Sequence, residues 1–152
     1  MNALARVPAT EAADVAVPAS HVDLLTRPIC GVLTTLGPDG RPESSLVWVD
    51  MDGRCARINT TLERRKARNL MRDPQLSLLV VDPENTSRFI QIRGVAELRT
   101  EGAIDHVDAL TRKYTRHSRF YGGIYPEEQG DHETRVIVRI HPRRITLDAI
   151  HA

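Results

Sequence analysis

Hydrophobic residues alternate with polar ones along several short stretches of the chain, which is the spacing of strands with one buried face. Turn-forming residues separate the first stretches, at Gly37-Pro38-Asp39-Gly40 and again at Met51-Asp52-Gly53. The pattern predicts seven strands, at residues 29–36, 44–51, 54–59, 75–81, 88–99, 134–140 and 143–150. Sequential strands pair most simply as antiparallel neighbours, so we expect a mainly β fold, a β-barrel with a few helices.

Helical spacing is limited to three segments. A short helix is expected from Ser20 to Arg27, and another from Ala103 to about Thr115. The most clearly marked helix follows the third strand: Thr60 and Glu63 have the spacing of a capping box, and Asp73-Pro74 ends the helix.

Length and composition indicate one domain of ordinary size. Of the 152 residues, 1–19 have no sustained period and are interpreted as a mobile N-terminal tail, which leaves residues 20–152 as the folded domain. Lys and Arg number 21 against 20 Asp and Glu, a balance that argues against a nucleic-acid or membrane-surface binder. No apolar run approaches the roughly 20 residues needed to span a bilayer. We therefore expect a cytoplasmic protein with a single domain.

Two kinds of site are not indicated by residue spacing. The six histidines and two cysteines do not have the spacing of metal ligands, so no metal site is expected. No catalytic set of Ser, His and Asp or of Cys and His is legible, so the catalytic residues stay unassigned.

Basic residues are concentrated at the beginning of the helix after the third strand. Arg64, Arg65 and Lys66 lie close to its N-terminus, where the helix dipole already carries positive charge and cations are mildly unfavourable. An anion bound over this end would reverse the sign of that interaction. A helical projection divides the residues of this segment among three faces. The predicted buried stripe consists of Leu62, Ala67, Leu70 and Met71, the flanks of that stripe hold Arg64, Lys66 and Asn69, and the opposite face holds Arg65, Arg68 and Arg72.

Three segments together resemble one known family. They are GVLTTLGPDGRPESSLVWV, the string R-x-K-x-R-N-L-x-R-D-P at residues 64–74, and I-x-G-x-A-E-L at residues 92–98. This order is similar to the pyridoxamine-phosphate-oxidase-like split-barrel family, and most similar to its actinobacterial branch of coenzyme F420-dependent flavin/deazaflavin oxidoreductases. The segments Leu110–Tyr114, Arg135–Val138 and Ile140–Pro142 are also similar to that branch, so the resemblance covers about residues 22–148.

The resemblance implies a homodimer of FMN-binding-like split β-barrels with two cofactor sites at the subunit interface. It implies that the phosphate of F420, or alternatively FMN, is held by Arg64 and Lys66, with hydroxyl and N–H groups from Thr60 and Thr61. The ring is expected along the second strand, at Ser45, Leu46, Val47 and Trp48. The motif also contains Arg68 and Asn69, which complete the predicted cofactor-binding set.

The expected function is hydride transfer from the reduced deazaflavin to an unsaturated or conjugated small-molecule acceptor. The C-terminal phosphate contacts of pyridoxamine-phosphate oxidases have no match here, which disfavours vitamin B6 oxidation. Two alternatives stay open: an FMN-binding oxidoreductase of the same fold, and a non-catalytic module that binds a flavin or haem. Trp48 is also explained by simple core packing, and no acid or base is singled out.

Overall fold

The structure is a computed structural model that describes residues 3–5 and 14–151. In this part of the chain the strands are β1 Ala3–Ala5, β2 Gly31–Leu36, β3 Pro42–Val47, β4 Asp50–Asp52, β5 Cys55–Thr61, β6 Gln75–Val81, β7 Phe89–Arg99 and β8 Arg135–Leu147. The helices are α1 Asp23–Thr26, α2 Arg65–Arg72 and α3 Ala103–Tyr114, with a short 3₁₀ helix at Glu127–Asp131.

All the strand pairs are antiparallel, and the sheet runs in the order β3-β2-β6-β7-β8-β5-β4, with β1 added against β7. The two ends of this order, β3 and β4, are separated in the chain only by Trp48 and Val49, so the sheet curves back on itself as a barrel. The predicted mainly β barrel with a few helices is therefore confirmed.

The barrel is filled by aliphatic side chains. Alternate residues of the strands point inward, as Leu33, Ile58, Leu78 and Val138 do, and each of these is at most 1% exposed. Helices α1 and α2 add leucine and alanine side chains to the same core, namely Leu24, Leu25, Ala67 and Leu70. The aromatic residues Phe120 and Tyr121 belong to a second, smaller cluster with Val107 of α3, outside the barrel core.

The last two predicted strands form one continuous strand, β8, which differs from the sequence prediction. Pro142 lies inside it, opposite Gly94, where the pairing of β7 and β8 shifts register. Proline lacks the N–H that a regular ladder uses, and an irregularity of this kind accommodates it. A Cβ on Gly94 would lie 2.2 Å from the His141 carbonyl oxygen, so the two backbones approach closely only because residue 94 is glycine. The predicted strand at 44–51 is likewise divided, between β3 and β4.

Helix α2 begins later than predicted, and the predicted capping box is wrong. Thr60 and Thr61 are still extended, because β5 remains paired with β8 as far as the Thr61–Arg135 pair. The helix starts at Arg65 with Arg64 as its N-cap, and the Glu63 carboxylate accepts a hydrogen bond from the Thr134 backbone N–H instead.

The predicted buried stripe of α2 is wrong at two positions, because the helix begins after Leu62 and its buried side includes Asn69 rather than Met71. Met71 is 43% exposed, and Leu62 lies before the helix, although it still packs against the core. Asn69, predicted on a flank, is buried within the helix.

The predicted mobile tail, residues 1–19, falls partly outside the described residues, and its mobility stays a prediction. Residues 14–19 lie against the barrel: the Asp14 carboxylate contacts His141 and Arg143, the Val15 N–H donates to the Pro142 carbonyl, and Val17 packs on the core. Among the described residues, no helix combines the length and the apolar character that crossing a membrane requires.

Candidate cofactor site

A cavity of about 720 Å³ opens between the end of β3, the start of α2, helix α3 and the segment that follows α3. We call it the main cavity. One part of its lining is apolar and aromatic, with Leu46, Val107, Leu110, Phe120 and Ile124. Another part is basic, with Arg64, Lys66, Arg116 and Arg135. Its described lining residues include no carboxylate, so the cavity favours a ligand that combines an apolar body with negative charge.

Three of the cations lie near one another. Burial lowers the pKa of Lys66, and the positive charges of Arg64 and Arg135 lower it further. Within the described residues, the Lys66 ammonium has no hydrogen bond or ion pair with another side chain that would offset this cost. An anion placed among the three would remove the repulsion and restore the charged ammonium.

The N-terminus of α2 adds to this positive region. Arg64 occupies the N-cap position, and an arginine side chain has no acceptor atom that could receive the first helical N–H groups. Arg65 and Lys66 are the first two residues of the helix. These two cations therefore lie even closer to the positive end of the helix than the sequence predicted.

A buried polar atom without a partner supports the same interpretation. The Thr60 hydroxyl is buried in the wall of the main cavity, and it has no hydrogen-bond partner among the described residues. An unsatisfied buried hydroxyl is costly, and a phosphate oxygen at this position would satisfy it. The residues present therefore fit a phosphate-bearing cofactor.

A second, more open cavity of about 580 Å³ shares Arg64 and Lys66 with the main one. It is lined by Glu43, Ser45 and Asn69, among other polar residues. The Asn69 side chain is already occupied: its amide donates to Thr35 and Glu43, and its oxygen accepts from Arg72. Asn69 thus joins α2 to β2 and β3 below the basic residues.

The structure brings together eight of the ten residues predicted at the cofactor site. The main cavity is lined by Leu46, Val47, Trp48, Thr60, Arg64 and Lys66, and the second by Ser45 and Asn69. Thr61 and Arg68 line neither of these two cavities. Thr61 is buried at the end of β5, and Arg68 is exposed on the outer side of α2.

Trp48 is held in a fixed orientation at the cavity wall. Its ring stacks on Tyr114 of α3, with 5.3 Å between ring centroids and 10° between planes. The Tyr114 hydroxyl donates to the Ile29 carbonyl at 2.7 Å and accepts from the Val49 N–H at 2.9 Å, which ties α3 to the corner between β3 and β4. Burial raises the pKa of Tyr114 to about 12, so this hydroxyl stays protonated.

Sequence reasoning missed several polar residues of the main cavity, among them Asn59, Arg116 and Arg135. Arg135 is only 7% exposed and lies at the first position of β8, beside the end of β5. Its guanidinium lies 4.7 Å from the centre of the Phe120 ring. The motif Arg135–Val138 marks the residue in the sequence, but only the pairing of β5 with β8 places it next to Lys66.

One group of described residues outside the cavity has side chains of the metal-ligand type: Asp14, Cys55 and His141. These side chains already have partners in the protein, and burial raises the pKa of the Cys55 thiol, which keeps it uncharged. Asp14 contacts both His141 and Arg143, and the other ring nitrogen of His141 lies 2.8 Å from Glu97. We interpret this group as an ion-pair cluster that holds residue 14 to β8.

Comparisons with known proteins agree with this geometry. A structure named F420 reductase is 30% identical, with a TM-score of 0.72 over 86% of this chain and 98% of that one. A conserved hypothetical protein from Mycobacterium tuberculosis is 28% identical, with a TM-score of 0.67 over 90% of this chain and 87% of that one. General Stress Protein 26 from Bacillus anthracis shares the fold at 16% identity, with a TM-score of 0.62 over 85% and 91% of the two chains.

The family comparison covers most of the chain and confirms the resemblance found in the sequence. The family model described as pyridoxamine 5'-phosphate oxidase matches residues 17–147, which includes all the strands from β2 to β8 and both cavities. The chain belongs to the pyridoxamine 5'-phosphate oxidase family, with the split β-barrel fold of that family.

Proposed function

We propose that this protein is an F420-dependent oxidoreductase that transfers hydride from the reduced deazaflavin to an unsaturated or conjugated small-molecule acceptor. The single observation that carries the proposal is the meeting of Arg64, Lys66 and Arg135 in one cavity that also contains the unpartnered Thr60 hydroxyl and an apolar and aromatic wall. A phosphate attached to a flat ring system satisfies both parts of this cavity at once.

Each part of the cofactor has residues that fit it. Arg64 and Lys66 would hold the phosphate with charge-assisted hydrogen bonds, and Thr60 would donate its hydroxyl. The ring would lie along the Ser45–Trp48 segment, where the stacking of Trp48 on Tyr114 keeps the wall flat. The bound deazaflavin supplies the hydride; the protein supplies orientation, charge and exclusion of water.

The cavity lining also suits the acceptor. Hydride addition to a conjugated acceptor leaves negative charge on it, and the cationic lining without carboxylates among the described residues would stabilise that charge. Phe120 and Ile124 offer apolar contact to the acceptor's carbon skeleton.

F420 is preferred over FMN for two reasons. F420 carries lactate and glutamate carboxylates beyond its phosphate, and the main cavity has a further arginine, Arg116, on its lining. The structure named F420 reductase is also 30% identical over most of both chains. FMN is the second candidate, favoured by the family match itself, because its phosphate and ring would use the same contacts.

We also propose that the protein is a homodimer. Leu46 is 71% exposed although it lies on the lining of the main cavity, and such a large apolar side chain is expected to be covered in the assembly. A two-fold axis would cover it twice and produce two equal sites.

The test is oxidation of reduced F420 in the absence of oxygen. Protein purified from a host that lacks F420 should be colourless, and it should catalyse the return of the visible absorbance of oxidised F420 when conjugated enones or quinones are added. A yellow protein that retains FMN would support the alternative cofactor. Tight F420 binding without turnover on any acceptor would overturn the enzymatic proposal and favour a non-catalytic binding module.

A further inference from the structure

The guanidinium of Arg135 is held in the main cavity by one hydrogen bond. Its Nε donates to the Asn59 side-chain oxygen at 2.8 Å. Its Nη1 is buried without a hydrogen bond among the described residues, and the nearest carboxylate oxygen, on Glu133, is 3.7 Å away. Arg135 also contacts the Phe120 ring and forms an ion pair with Glu133, but the hydrogen bond to Asn59 is its directional contact. The direction of the Arg135 Nε–H therefore depends on which way the Asn59 amide points.

The Asn59 amide has only one orientation that satisfies its neighbours. Its nitrogen lies 2.9 Å from the Ala103 carbonyl oxygen and 3.1 Å from Nδ1 of His106, so each of its two hydrogens has an acceptor. The oxygen is then left to face the Arg135 N–H. A reversed amide would place a donor against that N–H and an acceptor against the carbonyl.

This arrangement fixes the proton position on His106. Nδ1 accepts from Asn59, so the ring proton must be on Nε2, which lies 3.1 Å from the Asp50 carboxylate. Arg57 donates to both oxygens of the same carboxylate, at 3.0 and 2.8 Å. Burial raises the pKa of Asp50, but the hydrogen bonds of His106 and Arg57 outweigh it and hold the pKa below its usual value.

We propose that Asp50, His106 and Asn59 form a positioning chain that aims Arg135 at the anionic group of the ligand. The inference rests on the proposed function, because it assigns Arg135 as a third cation for the ligand bound by Arg64 and Lys66. Asp50, His106 and Asn59 are positioning residues, and the residue in contact with the ligand is Arg135.

A double-mutant cycle with FMN and F420 as the probes, read by fluorescence titration, tests the chain. Arg135→Ala and His106→Leu should each weaken binding by about tenfold, and the double variant should bind no more weakly than Arg135→Ala alone. Additive losses would show that His106 does not act through Arg135 and would overturn the proposal.

Two matched variants separate positioning from loss of stability. His106→Gln keeps an oxygen that can accept from Asn59, so its affinity should stay within about threefold of the wild type. Thr111→Val removes a buried hydrogen bond one turn further along α3, to the Val107 carbonyl, without touching the chain. It should lower the melting temperature but leave the dissociation constant unchanged. Loss of affinity in Thr111→Val equal to that in His106→Leu would contradict the chain.

The tautomer of His106 gives a reading that a change in stability alone would not set. A ¹⁵N spectrum should show the ring proton of His106 on Nε2, because Nδ1 accepts from Asn59. A ring proton on Nδ1 would overturn the proposal. If Lys66→Ala weakens binding but Arg135→Ala does not, this inference fails alone; if the wild type binds neither probe, the proposed function fails with it.

Discussion

Replacement of Lys66 by alanine is the perturbation that separates a phosphate site from a merely basic surface. Lys66 is half-buried at the second position of α2, and burial together with Arg64 and Arg135 lowers the pKa of its ammonium. Without a bound anion, burial and the two neighbouring positive charges make this position unfavourable for a charged lysine. A lysine that neutralises a bound phosphate is stabilised there by the ligand.

The expected size follows from one charge-assisted hydrogen bond in a partly desolvated place. Such a bond contributes about 1.5–3 kcal/mol. Lys66→Ala should therefore raise the dissociation constant of the cofactor by about ten- to 150-fold. Arg64→Ala should have a similar effect. The free energy of unfolding without cofactor should stay the same or rise slightly in Lys66→Ala, because one of three mutually repelling cations is removed.

Isothermal titration of F420 into each variant measures this, with Arg65→Ala as the matched control. Arg65 is adjacent in sequence and lines the second cavity but not the main one, and its side chain is 74% exposed and pairs with Glu43. Arg68→Ala and Arg72→Ala are further controls, since Arg68 lines neither cavity and Arg72 bonds to the Leu36 carbonyl and Asn69. These three variants should change affinity less than about threefold. Equal losses at all five positions would mean a diffuse positive field, and an unchanged dissociation constant for Lys66→Ala would refute the reasoning.

Three further predictions concern assembly and stability. Light scattering should give twice the 17.0 kDa mass of one chain, and a single-chain mass at micromolar concentration would contradict the dimer. Gly94→Ala should lower the free energy of unfolding by about 1–3 kcal/mol or more, because the new Cβ would overlap the His141 backbone; a melting temperature equal to the wild type would contradict this. The hydrogen bond from Arg88 lowers the pKa of Asp23 to about 2. Burial raises the pKa of Asp148, but its hydrogen bond with His21 helps to outweigh burial, so the pKa of Asp148 is also below its usual value. Both carboxylates therefore stabilise the fold above about pH 4. Urea unfolding should show the free energy of unfolding falling as the pH drops from about 4 toward 2. Asp23→Asn should make this fall less steep, and a slope equal to that of the wild type would exclude Asp23 as a source of the pH dependence.

The sequence was sufficient for the elements whose signals are local. Alternation located most strands, and the basic run before Asp73-Pro74 located α2 to within a few residues. The start of α2 could not be read from Thr60 and Glu63, because the capping-box pattern competes with pairing of β5 to β8, a partner more than seventy residues away. Long-range strand pairing decided that local conformation.

The same pairing explains which site residues were missed. Arg64 and Lys66 stand in one short motif, so they could be predicted together. Arg135 joins them only because β8 lies beside β5, and Asn59 matters only because α3 brings His106 against it. Arg68, by contrast, belongs to the motif but points away from both cavities, so membership in a motif did not establish a contact.

The central claim, a deazaflavin bound by its phosphate in the main cavity, is tested most directly by fluorescence titration of the wild-type protein with F420 and, separately, with FMN. We predict saturable binding of both, with F420 bound more tightly because its additional carboxylates meet the cationic lining, and a marked loss of F420 affinity in Lys66→Ala. Binding of FMN as tight as or tighter than F420 would contradict the assignment of the cofactor, and saturable binding of neither would contradict the site itself.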